Sequence, residues 1–474
     1  MNTLDTTLAP QPVDLIIYGG YVVTMDANDQ IHTDGALAIK DGNITAVGPT
    51  EQIREQYMAS KTIDAYKQLV LPGFVDSHAH PGMAPLIGVF KQDPSQPSIY
   101  ARGGNVPYIM TGFSSMVGRS LPEELTHITS TSYLITMLKN GTTCFADGAW
   151  LNPAALAQAV KDVGIRGSVA PMIIDTAVDP ANLDQGTHRV ADADEILAKM
   201  EALVDQWHGA DNDRIRVIGN IFWSLLCSDE LCQGMRDLCN RHNIGYNSHA
   251  AAVLNENELS MQLFGKRTIA RLADLGMLGP RFQAIHMVSV NDEEIQQLVE
   301  TNTKVAHNPV QNALAGKGVT TTGAILNMMD AGVTVGLGTD GGGAFMGNLL
   351  ESIRTTVALH RDMTMDNSRF PLMRAFAMAT RDSARCSFWD DRVGTLEAGM
   401  AADLLLVDIS DARYAFDDIP HVWFLYAGHA GEIKTVLIDG EVVVDDGQVV
   451  TVDEERIVAQ TQEAMQSFRA QFAV

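Results

Sequence analysis

The central part of the sequence alternates apolar runs with amphipathic segments, and this alternation limits the fold more than any other feature. The apolar runs predict strands over 69–77, 142–147, 165–173, 215–222, 244–248, 282–287, 303–307 and 333–339. Helical patterns lie between most of them, for example over 153–164 and 291–302, where Asn291 is suited to be the N-cap. Eight strand–helix alternations of this length predict an α/β fold of the (β/α)8 barrel type.

Short alternating β-like runs occupy both ends of the chain. Asp41-Gly42 and Asp439-Gly440 each predict a hairpin turn between two such runs. Terminal segments can form one unit when a closed domain lies between them, so we expect a small β-sandwich built from both ends. The predicted division is a flexible tail at 1–12, a composite β-sandwich with a C-terminal helix at 13–70 and 396–474, and a barrel at 71–395.

Composition narrows the class of partner. The 474 residues carry 33 Lys and Arg against 58 Asp and Glu, a net charge of −25, which disfavours nucleic acid and anionic membranes. The five cysteines form no CxxC motif, and no run of eighteen apolar residues occurs. With no secretory signal recognisable at the N-terminus, we expect a cytoplasmic protein with reduced thiols that acts on a small molecule.

Two histidines end the first predicted barrel strand, in the stretch LVLPGFVDSHAH. Residues two apart on a strand face the same side, so His78 and His80 are expected to point together at the mouth of the barrel. Such a pair supplies two imidazole nitrogens to an ion such as Zn²⁺. Taken alone, the pair is only a weak indication of a metal site, because two solvated loop histidines would show the same pattern.

Further polar residues end the later strands of the predicted barrel. Three of the thirteen histidines, His249, His286 and His307, end strands five, six and seven. Asp340 follows the apolar run of strand eight, where a buried carboxylate needs a partner. Three imidazoles and a carboxylate form a candidate catalytic set that leaves a metal position open for water.

The motifs resemble those of the amidohydrolase superfamily over nearly the whole chain. LPGFVDSHAH is similar to the first-strand signature, KNGTTCFAD to the second-strand segment, AHNPVQN to the seventh and GLGTDG to the eighth. GTLEAGMAADLLLVD and VLIDGEVV resemble the C-terminal return to the β domain. The branch indicated contains cytosine deaminase, guanine deaminase and atrazine chlorohydrolase, and molinate hydrolase and phenylurea hydrolase are similar too.

The resemblance implies specific roles for the residues at the strand ends. His78, His80, His249 and Asp340 would ligate the metal, and Asp340 would also move the proton of the attacking water. His286 would stand beside that water. The resemblance leaves His307 open between substrate orientation and a structural role.

The expected cofactor is one divalent metal per subunit, with Zn²⁺ ahead of Fe²⁺, Co²⁺ and Mn²⁺. Two-metal relatives need a bridging acid, and the end of predicted strand four offers Asn220, Trp223 and Ser224 but no Lys or Glu. A single ion is therefore predicted. The resemblance also implies a homo-oligomer.

One position departs from the deaminase pattern. Deaminases of this branch carry His-x-x-Glu at the end of strand five, whereas this chain has Ala252 at the acidic position, with Glu256 and Glu258 further along. An aromatic C=N substrate needs its ring nitrogen protonated, and an acyl substrate does not. The preferred hypothesis is therefore metal-dependent hydrolysis of a non-peptide C–N bond in a small neutral amide, urea or (thio)carbamate.

Two alternatives stay open. The first is a deaminase or dechlorinase of a nitrogen heteroaromatic such as a purine, pterin or s-triazine. The second is a binding protein without activity, which the complete ligand set disfavours.

The long segment after His80 predicts the wall of the pocket. It is rich in Gly, Pro, Met and aromatic residues, which suits an apolar, adaptable lining for a neutral substrate. The candidate lining residues are Met83, Phe90, Tyr108, Met110, Phe113 and Met116, with Trp223 from strand four. The same side chains would also serve to pack this segment against the barrel or a neighbouring subunit.

Overall fold

The computed structural model describes residues 9–87, 105–115, 121–341, 347–416 and 418–471. Phe90 and Met116 lie outside these ranges, as does most of the tail predicted at 1–12. The first strand begins at Gln11, which is inside that predicted tail.

The strands follow the predicted alternation. In chain order they are β1 Gln11–Val23, β2 Ile31–Lys40, β3 Asn43–Pro49, β4 Tyr57–Asp64, β5 Gln68–Pro72, β6 Phe74–Ala79, β7 Thr142–Asp147, β8 Arg166–Val169, β9 Thr176–Val178, β10 Thr187–Arg189, β11 Ile215–Val217, β12 Gly219–Trp223, β13 Tyr246–Ala250, β14 Phe282–His286, β15 Lys304–His307, β16 Val335–Leu337, β17 Leu404–Asp408, β18 Ile433–Ile438, β19 Glu441–Asp445 and β20 Gln448–Val449.

Helices and single helical turns separate the strands of the central region. They are α1 Thr50–Gln56, α2 Ala84–Ile87, α3 Val106–Ser114, α4 Glu123–Lys139, α5 Pro153–Val163, α6 Ala193–Trp207, α7 Ala210–Asp213, α8 Asp229–His242, α9 Glu256–Phe264, α10 Thr268–Asp274, α11 Asp292–Thr301, α12 Pro309–Leu314, α13 Val319–Thr322, α14 Ala324–Asp330, α15 Leu349–Thr364, α16 Leu372–Met378, α17 Arg381–Cys386, α18 Pro420–Ala427 and α19 Glu454–Gln471.

Both ends of the chain pair in one nine-stranded sheet. Its order is β20-β19-β18-β17-β5-β1-β2-β3, and β4 pairs with β1. The two predicted hairpins are present, because Lys40 pairs with Asn43 and Ile438 with Glu441. Asp41 and Asp439 both have positive φ in these turns, as a two-residue hairpin requires.

The central strands form two parallel sheets, in the orders β11-β8-β7-β6 and β12-β13-β14-β15-β16. The sheets adjoin at two places. Ile218 alone separates β11 from β12 along the chain, and Ala79 at the end of β6 forms a parallel bridge with Asp340, just after β16. This arrangement gathers the carboxyl ends of β6, β13, β14 and β16.

The run predicted as one strand at 69–77 is two strands that belong to different sheets. β5 pairs with β1 and β17 in the sheet of the chain ends, whereas β6 pairs with β7 in a parallel sheet. Gly73 separates them, and a Cβ atom there would lie 2.0 Å from Thr143 Oγ1. Only glycine permits this close backbone approach, so Gly73 marks the passage between the two units.

The C-terminal helix α19 packs on its own chain. Ile457, Met465 and Phe468 are buried, and Met465 and Phe468 cluster with Leu125 of α4. Helix α4 of the same chain therefore covers this part of the apolar face of α19.

All five cysteines are buried and reduced. Among the described residues, no helix is both long enough and apolar enough to cross a lipid bilayer.

Candidate metal centre

Four histidine rings from three parallel strands converge at one point. His78 and His80 come from the end of β6, His249 from β13 and His286 from the end of β14. The ring centroid of His78 lies 4.6 Å from that of His80 and 5.0 Å from that of His249. Asp340 joins the rings, with its Oδ1 atom 3.4 Å from Nε2 of His80 and 3.7 Å from Nε2 of His78.

The orientation of two rings is fixed by backbone carbonyl groups. Nδ1 of His80 lies 3.2 Å from the carbonyl oxygen of Ala149, and Nδ1 of His249 lies 2.6 Å from that of Phe222. A carbonyl oxygen only accepts hydrogen bonds, so both Nδ1 atoms carry a hydrogen and both Nε2 atoms keep a lone pair. This is the tautomer that a metal-ligating histidine adopts.

The nitrogen lone pairs fit a shared cation. Nε2 of His78 and Nε2 of His80 are only 3.1 Å apart. Candidate donor atoms form two triads, His78–His80–His249 and His78–His286–Asp340, each with its atoms within 4.8 Å of one another. Because the two triads share His78, the donor set suits one divalent ion rather than two separate ones.

Burial keeps these rings neutral. Burial lowers the pKa of His78 to about 4, and it lowers the pKa values of His249 and His286 well below the ordinary histidine value. For Asp340, burial opposes ionisation, but the neighbouring rings of His78 and His80 and the charge of Lys317 hold the carboxyl pKa well below its usual range. A neutral imidazole and an ionised carboxylate are the ligand forms of these groups.

The backbone at the centre adopts uncommon conformations. His286, Asp340 and Ala251 have φ of 78°, 63° and 47°, in the left-handed region that side chains other than glycine rarely occupy. Each residue stands at or just after the end of a strand. Strain of this kind is retained where surrounding contacts fix a functional geometry.

Asp76 connects the first and last strands beneath the metal centre. Its carboxylate accepts hydrogen bonds from the backbone N–H and hydroxyl of Thr339, at 3.1 and 2.6 Å, and from the backbone N–H of His78 at 3.1 Å. It thereby sets the position of His78 relative to Asp340. Burial raises the pKa of Asp76 to about 7.

His307 does not face the metal centre. Its ring lies 5.6 Å from that of His360 in α15, and neither ring nitrogen has a hydrogen-bond partner among the described residues. The next residue, Asn308, takes the position at the centre instead, with its Nδ2 atom 3.1 Å from Nδ1 of His286. Of the two roles left open for His307, these contacts favour the structural one.

Two of the predicted wall residues, Met83 and Phe113, pack against residues at or near the strand ends. Met83 lies beside the centre. A Cβ atom placed on Gly341 would be 3.2 Å from Sδ of Met83 and also 3.2 Å from Cβ of His80. Phe113 stacks edge-on to Phe222 at 4.8 Å and to Trp223 at 6.4 Å.

Tyr108 differs from Met83 and Phe113 because its side chain is exposed. It lies on α3 with 73% of its surface exposed, so the described residues do not bring it into the wall. Met110, on the same helix, is fully buried. Among the described residues, Phe222 brings an aromatic ring to the centre, 4.9 Å from His249, and its position was not predicted from the sequence.

Glu256 does not replace the acidic residue that is absent at Ala252. Its Oε1 atom accepts hydrogen bonds from the backbone N–H of Ala251 and the hydroxyl of Thr268, and its Oε2 atom accepts one from the N–H of Ala252. Both oxygens thus hold the loop after β13, while Glu258 is exposed.

Lys317 is the functional candidate that sequence reasoning missed. Only 4% of this residue is exposed. Its Nζ atom lies 3.2 Å from Nε2 of His286 and 3.9 Å from Oδ2 of Asp340. Burial lowers the pKa of Lys317, and Asp340 and Glu256 oppose this shift. No strand-end pattern marks it, because it lies on a loop beyond α12.

The comparisons with known proteins identify the family of the chain. A model described as "Amidohydrolase family" matches residues 69–443, and the chain belongs to that family. It is therefore a metal-dependent amidohydrolase, an enzyme that hydrolyses carbon–nitrogen bonds.

Curated relatives match over almost their full length. The chain is 30% identical over 454 residues to a 5-methylthioadenosine/S-adenosylhomocysteine deaminase of Desulforamulus reducens, covering 95% of this chain and 98% of the relative. It is 28% identical to a 5'-deoxyadenosine deaminase of Methanosarcina barkeri, with 95% and 97% covered.

Solved structures show the same fold. An adenosine deaminase from Xanthomonas campestris with bound zinc has a TM-score of 0.85 at 24% identity, covering 97% of this chain and all of that one. Atrazine chlorohydrolase TrzN from Arthrobacter aurescens, complexed with zinc, has a TM-score of 0.81 at 24% identity, covering 95% of this chain and all of that one.

Proposed function

We propose that this protein is a hydrolytic deaminase of a nitrogen heteroaromatic amine of the adenine-nucleoside type, with one Zn²⁺ held by His78, His80, His249 and Asp340. The observation that carries the proposal is the donor cluster at the ends of β6 and β13, in a chain whose near-full-length relatives are named as deaminases of adenine-type compounds. The heteroaromatic alternative thus replaces the amide, urea or (thio)carbamate hypothesis as the first choice.

The proposed chemistry assigns distinct tasks to the residues of the centre. A divalent ion held by these residues would supply an activated water as nucleophile. Asp340 would accept a proton from the nucleophile and deliver it to the leaving nitrogen. The ring of His286, with its Nε2 atom 3.6 Å from Oδ2 of Asp340 and 3.2 Å from Nζ of Lys317, positions these two side chains. Met83 and Phe222 limit the access of bulk water to the substrate side.

We also propose that the eight parallel strands β6, β7, β8, β11–β12, β13, β14, β15 and β16 close into a (β/α)8 barrel. The continuity of β11 with β12 and the bridge between Ala79 and Asp340 support closure on both sides. The β-sandwich arrangement of the chain ends, the domain boundaries at 70/71 and 395/396, the homo-oligomer and the cytoplasmic location stay predictions.

Hydrolysis of an amide, urea or (thio)carbamate remains the second candidate. Ala252 favours it, because no carboxyl group stands at that position to serve a ring nitrogen, and both oxygens of Glu256 hold the backbone. The two candidates differ in the substrate atom that needs a proton or a hydrogen bond.

A two-panel assay on Zn²⁺-loaded protein tests the proposal. The first panel contains 5'-methylthioadenosine, S-adenosylhomocysteine, 5'-deoxyadenosine, adenosine, a pterin and a triazine, with ammonia release as the measurement. The second contains anilides, phenylureas and thiocarbamates, with amine release as the measurement. The proposal expects activity on the first panel, lost in Asp340→Asn and kept in the matched exposed variant Asp445→Asn. Activity confined to the second panel would overturn it.

A further inference from the structure

Lys317 reaches the metal centre from a loop that the known strand-end motifs do not include. The loop follows α12, and Gly316 and Gly318 on either side of Lys317 have φ of 69° and 85°. The backbone N–H of Lys317 donates a hydrogen bond of 2.9 Å to the carbonyl oxygen of Asn312. The chain is thus built to turn this side chain inward.

The loop lies against the segment in which the carboxyl group is missing. A Cβ atom at Gly318 would be 3.0 Å from Cδ1 of Leu254, two residues beyond Ala252. The loop that carries Lys317 therefore packs against the segment that follows Ala252.

The bonds of His286 show which way the hydrogens of Lys317 point. A lysine Nζ atom that contacts Nε2 of His286 donates to its lone pair, so the ring hydrogen sits on Nδ1. Nδ1 then needs an acceptor. Asn308 provides one by rotation of its amide, whose Oδ1 atom otherwise has no partner among the described residues. In this tautomer, Nε2 of His286 accepts a hydrogen bond from Lys317 and has no hydrogen of its own to donate to substrate.

We propose that the Nζ–H group of Lys317 is the donor that polarises the substrate atom next to the attacked carbon, the task that no carboxyl group at position 252 performs. For a heteroaromatic amine that atom is the ring nitrogen of the C=N bond. The inference rests on the proposed deaminase function, but the same donor serves a carbonyl oxygen in an amide.

The reaction balances without a further reactant. The oxygen of water forms the new C–O bond and the C–N bond to the amino group breaks. One proton of water leaves with ammonia by way of Asp340, and the other stays on the oxygenated product. The hydrogen bond from Lys317 stabilises the negative charge that develops on the ring nitrogen when water adds, as preorganised donors do in other hydrolases.

Lys317→Met tests the proposal because methionine keeps most of the length of the side chain and removes the donor. We expect kcat on the wild-type substrate to fall about 100-fold to 1,000-fold, with KM changed by less than about fivefold. Metal content should stay at the wild-type value. Leu314→Met, an exposed substitution on α12, is the matched control and should leave kcat unchanged.

Two measurements distinguish a hydrogen-bond donor at Lys317 from a side chain that only supports the structure. Added ethylamine should raise the kcat of Lys317→Ala at least tenfold above its value without amine, whereas ethanol should not raise it. Purine riboside, a C=N compound without a leaving group, should bind Zn²⁺-loaded Lys317→Met at least tenfold more weakly than wild type by calorimetry. A merely structural role would not produce rescue by the amine alone.

Each outcome bears on one proposal or the other. Wild-type kcat in Lys317→Met, or an equal loss of kcat and metal without amine rescue, would overturn the role of Lys317. If the wild type hydrolyses only anilides or phenylureas, the deaminase proposal fails, and a fall in kcat on those substrates would still support Lys317. Activity on neither panel would contradict both proposals.

Discussion

His360 is a buried histidine for which the described residues provide no charged partner. Its ring stacks on Phe370 at 5.3 Å, and neither nitrogen has a hydrogen-bond partner in the described part of the chain. Burial lowers its pKa to about 4. The unfolded chain, with an ordinary pKa near 6.5, therefore binds the proton more readily than the folded one between these values.

This difference predicts how stability changes with pH. The contribution of His360 is complete above pH 6.5 and is lost as the pH falls toward 4, by at most about 3 kcal/mol. His360→Leu should reduce the drop in the free energy of unfolding between pH 7.5 and pH 5, measured by urea titration. The exposed control His188→Leu should keep the wild-type drop. An unchanged drop in His360→Leu would contradict this assignment.

Sequence reasoning identified most, but not all, residues of the centre. His78, His80, His249, His286 and Asp340 meet because strand ends meet, which the pattern predicts. His307 was less predictable, because a shift of one residue at a strand end turns the side chain to the other face. Lys317 and Asn308 could not be singled out, since their positions depend on how loops return to the centre.

The loop after β13 depends on one buried carboxylate. Glu256 accepts hydrogen bonds from the backbone N–H groups of Ala251 and Ala252, each at 2.7 Å, and from the hydroxyl of Thr268 at 3.0 Å. Glu256→Gln replaces one accepting carboxylate oxygen with an NH₂ group, which then faces a backbone N–H or the Thr268 hydroxyl that needs an acceptor. We expect the free energy of unfolding to fall by roughly 1–3 kcal/mol in urea titration. Glu258→Gln, an exposed substitution, is the control and should change it by less than about 0.5 kcal/mol.

Helix α11 begins with a capping box. The Asn291 side chain accepts a hydrogen bond from the N–H of Glu294, and the Glu294 carboxylate accepts one from the N–H of Asn291. Asn291→Ala should lower the free energy of unfolding by about 1 kcal/mol, because a terminal N–H loses its partner. Gln296→Ala, exposed in the same helix, should have a smaller effect. Equal effects would show that the cap does not contribute.

The hydrophobic periodicity predicted where helices and strands lie better than it predicted which sheet each strand joins. Pro153–Val163 and Asp292–Thr301 agree closely with the helices predicted at 153–164 and 291–302. The run at 69–77 has one continuous apolar pattern, yet it is divided at Gly73 between two sheets. The reason is the contact with Thr143, a residue far along the chain that local patterns do not reveal.

At the scale of the whole molecule, one buried arginine joins the parallel strands to the sheet of the chain ends. Arg166, at the start of β8, donates two hydrogen bonds to Asp403, at 2.9 and 3.1 Å, and one of 2.6 Å to Asp439. Its side chain is fully buried, and Asp403 is almost so. The sequence predicted that both chain ends join in one small β unit, but it predicted neither their pairing in a single sheet nor this contact.

Arg166→Met should be strongly destabilising, because it leaves the Asp403 carboxylate buried without its cation. We expect a loss of about 3–5 kcal/mol in the free energy of unfolding. The double variant Arg166→Met, Asp403→Leu should recover part of it, and Arg385→Met, half-exposed, is the control. A loss below about 1 kcal/mol in Arg166→Met would contradict this role.

The most direct test of the metal centre is the metal content of purified protein, measured together with activity during Zn²⁺ reconstitution. We expect one divalent ion per chain, with activity rising linearly to one equivalent. His249→Ala should bind zinc at least tenfold more weakly, while the exposed control His188→Ala should keep both stoichiometry and activity. Full activity in metal-free protein, or unchanged zinc affinity in His249→Ala, would contradict the assignment of this centre.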